Sequence, residues 1–332
     1  MIDRRRLLGA AAGFAGAGGV GAVWARPRAR PLPTHDLTPH DLTGTWTNAW
    51  YTKLERPKAF KALVATAAEA EAYEAPRRAH HGELISPKDL LGQNESEFPD
   101  NGPGLARIGG EVRSSWIVDP PDGKIPWTAE ARERLYIGKE LPETYDNVEA
   151  RETDERCLTT PGAAAPILNS HDANLIQFVQ APGWLAIVGE KNHDVRLVRL
   201  GAADPGAEAR AAGIRGWMGV SIGHREGATL VVETTGLRPG VTKITDDVYL
   251  SDRSRVVERF TRTGPGEIRY LFEVEDPTLF TRPWRGEMVF RPAEGQLYEY
   301  ACHEGNYSLP SILAAARQGN QPAAAEVAKA GK

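Results

Sequence analysis

The chain has 332 residues, with 40 Lys and Arg against 44 Asp and Glu, a formal net charge of −4 and a pI near 6.1. Beyond the N-terminus no long basic patch occurs, which argues against nucleic acid as a partner, and no later stretch has the length of an apolar membrane span. The two cysteines, Cys157 and Cys302, admit a bridge in an oxidising compartment, two free thiols, or a metal ligand at Cys302 beside His303; the disulfide is the expectation.

Asp3, Arg4, Arg5 and Arg6 precede Leu7, Leu8 and an Ala/Gly run to Val23, followed by Trp24-Ala25. This pattern predicts a twin-arginine signal peptide over residues 1–25, cut after Ala25, and a periplasmic or secreted mature protein. The competing reading, an uncleaved anchor, is weakened by a short, Gly-rich apolar stretch; no stable membrane span is expected after processing. About 305 residues then remain, enough for one large domain or two intimate ones.

Residues 26–110 read as an N-terminal arm, a helix and long loops. The arm, 26–42, is rich in Pro, Arg and His; Gly44-Thr45-Trp46 opens a strand; Ala-rich periodicity predicts a helix from Phe60 to Tyr73, stopped by Pro76. Gly, Pro and Asn punctuate 86–110 as loop. His35, His40, His80 and His81 fall in these contexts as incidental residues.

Residues 111–318 read as a β-rich core. Trp116-Ile117-Val118 is a strand, and Thr128 caps a helix over 129–136. Short β-rich runs follow at 175–180, 184–188, 195–200, 229–235, 255–261, 267–274, 287–290 and 296–300, separated by Gly, Pro, Asp and Ser turns. Such spacing predicts a mainly β fold, an antiparallel barrel (lipocalin-like) or curled sheet with peripheral N-terminal helices. A short helix over 309–315 and a flexible tail over 319–332 complete the chain.

Four motifs carry a resemblance: the run from Trp184 to Arg196, the run from Gly216 to Gly227, Glu275-Asp276-Pro277 with Phe280-Thr281-Arg282-Pro283-Trp284, and Tyr298-Glu299-Tyr300-Ala301-Cys302-His303-Glu304-Gly305-Asn306-Tyr307. Together they resemble a widespread group of exported, mostly uncharacterised bacterial proteins, over about residues 110–310. The resemblance implies a shared exported fold and pocket and no particular reaction. The group usually has an aromatic residue where Arg225 stands and an acidic one where Ala228 stands.

Chemistry is expected at two polar junctions. His193-Asp194 lies between apolar strands with Glu190 three residues earlier, and His303-Glu304 follows the aromatic run ending at Tyr300. Imidazole takes or gives a proton near neutrality and a carboxylate fixes its tautomer, so His193, His303, Glu304 and Glu190 are the candidate catalytic residues. Arg196, Arg282, Trp284, Trp217 and Tyr307 are the candidate substrate-binding residues: cations for an oxyanion and aromatic walls. His171, His193 and His303 are the alternative, a site for zinc or another divalent transition metal. No phosphate-cradling or dinucleotide motif and no Gly-x-Ser-x-Gly elbow occurs, so no organic cofactor is implied. The functional expectation is a lyase or isomerase acting on a small, partly apolar organic molecule; a metal-dependent hydrolase and a non-catalytic periplasmic binding protein are the alternatives. Oligomeric state is not legible.

Overall fold

Period-two alternation builds this molecule. In Glu267–Glu275, Ile268, Tyr270, Phe272 and Val274 are buried and the residues between them face outward; in Arg255–Gly264, Val256, Glu258 and Phe260 are buried in the same rhythm. Each strand thereby acquires one apolar face. The computed structural model describes residues 41–84, 102–135, 137, 145, 147–151, 153, 155–159, 162–170, 174–201, 213–245 and 248–319. The expected signal peptide, the arm up to residue 40, the tail beyond 319 and His171 lie outside them.

The strands are β1 (Gly44–Thr47), β2 (Arg107–Ile108), β3 (Glu111–Val112), β4 (Ile117–Asp119), β5 (Leu175–Ala181), β6 (Trp184–Gly189), β7 (Val195–Leu200), β8 (Val220–Glu226), β9 (Thr229–Thr235), β10 (Val241–Thr245), β11 (Val248–Ser251), β12 (Arg255–Gly264), β13 (Glu267–Glu275) and β14 (Trp284–Pro292). Nine close into a barrel in the order β1-β5-β6-β7-β8-β9-β12-β13-β14 and back to β1. Closure is made by Gly44 opposite Phe178 on one side of β1 and Trp46 opposite Pro292 on the other. Only β7 and β8 run parallel among these staves. β4 adds to β14 outside the ring, and β10–β11 and β2–β3 form separate hairpins. Among the described residues, no helix is long and apolar enough to cross a membrane.

The barrel interior is filled. Phe178, Phe260, Tyr270 and Phe290 are fully buried, with ring centroids 4.8–5.9 Å apart. Each such ring contributes about 1.5–3 kcal/mol by burial. The mainly β barrel expected from the strand spacing is borne out, with side chains packed in its interior. Gly286 is required by close approach: a Cβ there would lie 2.1 Å from Cζ of Phe272.

Two expectations are corrected. The helix α1 spans Ala67–Leu84 and continues through Pro76. Its start is set by a capping box, in which Thr66 Oγ1 accepts from Glu69 N (3.2 Å) and Glu69 Oε2 accepts from Thr66 N (2.8 Å), while Ala65 N donates to Val112 O (2.9 Å). Second, residues 296–300 are not a strand. β1, which comes from the N-terminal segment, is itself a barrel stave. The N-terminal segment also covers β14, where Trp50 Nε1 donates to Val289 O (2.9 Å) and Arg113 Nη2 pairs with buried Glu287 (3.0 Å). The capped helix α2 (Ala129–Arg134) is borne out, with Thr128 accepting from Ala131 N. The terminal helices are α3 (Cys302–Gly305) and α4 (Ser308–Gly319).

Candidate functional site

The turn from β6 to β7 is the polar tetrapeptide Lys191-Asn192-His193-Asp194, set between two apolar strands. Gly189 N donates to Asp194 O at 2.9 Å and fixes the ends of the turn. Inside it Asn192 and His193 take left-handed backbone conformations, φ 56° and 52°. Both residue types enter that region more readily than most.

The chain leaving β14 passes over this turn. Glu190 Oε1 accepts from Tyr298 N, and His193 Nε2 accepts from Tyr300 N, each at 3.2 Å. These side chains stand where a neighbouring strand would have supplied carbonyls, which is why 296–300 stays irregular despite its β-rich composition. Cys302 is then bound to Cys157 in a disulfide, Cα–Cα 5.8 Å, closing a separation of 145 residues. Asn306 Nδ2 donates to Glu155 O at 2.7 Å just beyond it.

A cleft of 240 Å³ results, with His193, His303, Glu304, Asp194, Glu299 and the disulfide in its lining. The three non-glycine residues with left-handed backbone among the described residues, Cys157, Asn192 and His193, all line it. Such conformations are held only where surrounding structure over-determines them, and they concentrate at functional sites. Asn192 also lines the cleft; its side-chain Oδ1 and Nδ2 are buried and have no hydrogen-bond partner among the described residues. Asp194 Oδ2 accepts from Thr159 Oγ1 at 3.1 Å.

His193 is held through Nε2, which accepts the backbone N–H of Tyr300. His303 and Glu304 are exposed on the segment anchored by the disulfide. Glu190 holds backbone at Tyr298 and serves as an anchor.

The remaining predicted residues are elsewhere. Arg196 is buried within the barrel, where both terminal nitrogens pair with Glu258 (Nη2–Oε1 2.9 Å) and Nη1 donates to Thr234 at 3.2 Å. Tyr270 completes this network, donating to Glu258 at 2.8 Å and accepting from Ile167 N at 2.9 Å. Burial, reinforced by the Glu258 charge, drives the Tyr270 hydroxyl well above its ordinary pKa. Burial opposes the Arg196 charge; Glu258 outweighs it and holds the guanidinium protonated. Arg196 is therefore paired within the core and does not line the cleft.

Arg282 is paired to Asp119 at 2.5 Å, and Arg285 meets the same carboxylate at 2.9 Å. Hydrogen bonds from Arg285 and then Arg282 hold Asp119 below its usual pKa. Trp284 is fully buried, edge-on to Phe272 at 5.6 Å, and is a core residue rather than a binding wall. Trp217 lies under Arg238 at 4.0 Å, and Tyr307 is 80% exposed without lining the cleft. Asp119 and Arg285 also line a larger groove of 410 Å³ with Arg259 and Glu273. Its charges neutralise one another, Arg259 pairing with Glu226 at 2.6 Å, and it contains no imidazole. The smaller cleft is the stronger chemical candidate for that reason.

Among the described residues, no three His, Cys, Asp or Glu side chains are grouped to hold a metal ion. The alternative metal set cannot be completed there, since His171 is outside them. Sequence reasoning missed Asn192, Glu299 and Asn306; the unusual density of polar residues between two apolar strands was the available signal for the first. No protein-family model matches the chain, and searches of curated proteins and of solved structures return no match.

Proposed function

We propose that this protein is an exported acid–base enzyme, a lyase or isomerase, that acts on a small, neutral or cationic organic molecule at the cleft between the β6–β7 turn and the 298–306 segment. The observation that carries this reading is the meeting of His193 and His303, far apart in the core sequence, in one cleft. His303 is the general base, with Glu304 beside it to stabilise the imidazolium. His193, held through Nε2 by Tyr300, offers its Nδ1–H to oxygen on which negative charge develops. The buried amide of Asn192 supplies further hydrogen-bonding capacity.

The substrate class follows from charge. Asp194, Glu299 and Glu304 line the cleft, and among the described residues no Lys or Arg does. A carboxylate or phosphate ligand would meet like charge, while amines, hydroxy compounds and ketones would not. Export is supported by the disulfide, which belongs to an oxidising compartment, together with the arginine pattern at residues 4–6. A binding protein without turnover is the second reading, favoured by Asn192, whose amide lines the cleft with its hydrogen-bonding capacity unspent among the described residues and takes no part in proton transfer.

Protein labelled with ¹⁵N in histidine, titrated with a panel of small amines, polyols and hydroxyketones, tests the site. A ligand that shifts the ring signals of both His193 and His303 supports it. Binding that leaves both rings unmoved contradicts it.

A further inference from the structure

The disulfide is more than a pin, because it forms part of the cleft wall. Both cysteines line the cleft; Cys157 is buried, at 9% exposure, whereas Cys302 is partly exposed. Asn306 Nδ2 lies 3.5 Å from Cys157 Sγ and donates toward it. A donor on one sulfur of a disulfide stabilises that sulfur as a leaving thiolate, which directs attack to the other sulfur. Cys157 also holds a left-handed backbone conformation, φ 53°, which the bridge helps to maintain.

We propose that the Cys157–Cys302 bond is a site of thiol–disulfide exchange with small neutral or cationic thiols, Cys302 being the sulfur that is attacked. The thiol loses its proton to solvent, and the thiolate attacks Cys302 Sγ in line with the S–S bond. A new S–S bond forms to Cys302, the old one breaks, and its electron pair leaves on Cys157 Sγ, which takes up a proton. The products are a mixed disulfide on Cys302 and a free Cys157 thiol, with no external oxidant consumed. The reverse reaction restores the bridge. Asp194, Glu299 and Glu304 in the lining set the preference for thiols without negative charge. The inference rests on the cleft's geometry and stands apart from the acid–base reading.

The test treats the native full chain, without denaturant, with cysteamine or with 2-mercaptoethanesulfonate, followed by acid quench, alkylation and peptide mass mapping. The expected product is cysteamine on Cys302 with Cys157 alkylated. Cysteamine should react at least about tenfold faster than the sulfonate, and the gap should narrow in high salt. Glu299→Gln combined with Glu304→Gln should narrow it as well, and Asn306→Ala should slow exchange. A bridge that exchanges only after unfolding, an adduct on Cys157, or equal rates for the two thiols would overturn the proposal. Inert sulfurs in a protein whose two imidazoles still respond to ligands would refute exchange alone. Exchange in a protein whose imidazoles never respond would refute the acid–base reading alone.

Discussion

His193 Nε2 accepts the backbone N–H of Tyr300 at 3.2 Å across 107 residues of sequence. The side chain of one half of the cleft thereby holds the main chain of the other. In His193→Ala, amide exchange over 298–306 should accelerate with stability reduced by only about 0.5–1.5 kcal/mol. Hydrogen-exchange mass spectrometry reads the segment directly; unchanged protection there would contradict the anchoring role.

The Arg196–Glu258 pair predicts asymmetry between single and double variants. Arg196→Met or Glu258→Gln leaves a buried charge without its partner and should cost about 3–5 kcal/mol. Arg196→Met with Glu258→Leu removes both charges and should recover much of that loss. Tyr270→Phe deletes the hydroxyl that links Glu258 to Ile167 N and should cost about 1–3 kcal/mol. Urea unfolding measures all four; additive losses in the double variant would contradict the pairing.

Asp276 gives a pH signature. Burial alone would raise its carboxyl, but hydrogen bonds from Ser251, Ser254 and Thr278 outweigh burial and hold it below its ordinary pKa. A pKa lowered on folding gives stability that is present above the unfolded-state value and is lost as pH falls through the folded one. Asp276→Asn should therefore cost about 2 kcal/mol at pH 7, and its deficit should shrink on acidification. Denaturant melts of both proteins at descending pH test this; a constant deficit would contradict it.

The disulfide closes a long loop, and the loop-entropy model assigns such a crosslink about 4–5 kcal/mol. Cys157→Ser with Cys302→Ser should lower the thermal midpoint while leaving the far-ultraviolet signature of the barrel. A variant as stable as the parent would show that the bridge constrains nothing in the unfolded chain.

Strands were legible where one face alone is buried. Ile268, Tyr270, Phe272 and Val274 announce β13 by alternation, and the turn at Ala181-Pro182-Gly183 is marked by a glycine with φ 78°. The junctions around His193 and His303 were legible as polar residues flanking apolar runs. Their convergence was not, because register and barrel closure depend on pairings such as Trp46 with Pro292, far apart in sequence. The burial of Arg196 and Trp284 was not legible, for a physical reason. A buried arginine and a ligand-binding arginine look alike until the partner is known, and Glu258 sits amid the outward-looking charges Arg255 and Arg259. Residues 296–300 have strand composition, yet side chains rather than a strand satisfy their backbone.

The central claim is that His193 and His303 perform proton transfer in one cleft. The most direct measurement is NMR-monitored turnover and carbon-bound hydrogen exchange in D₂O, over small amines, hydroxy compounds and ketones, for the parent, His303→Ala and His193→Ala. The parent should process at least one compound, with kcat lowered about 10²-fold or more in His303→Ala and by a comparable factor in His193→Ala. Turnover that survives both substitutions intact, or tight binding with no turnover in the parent, would contradict it.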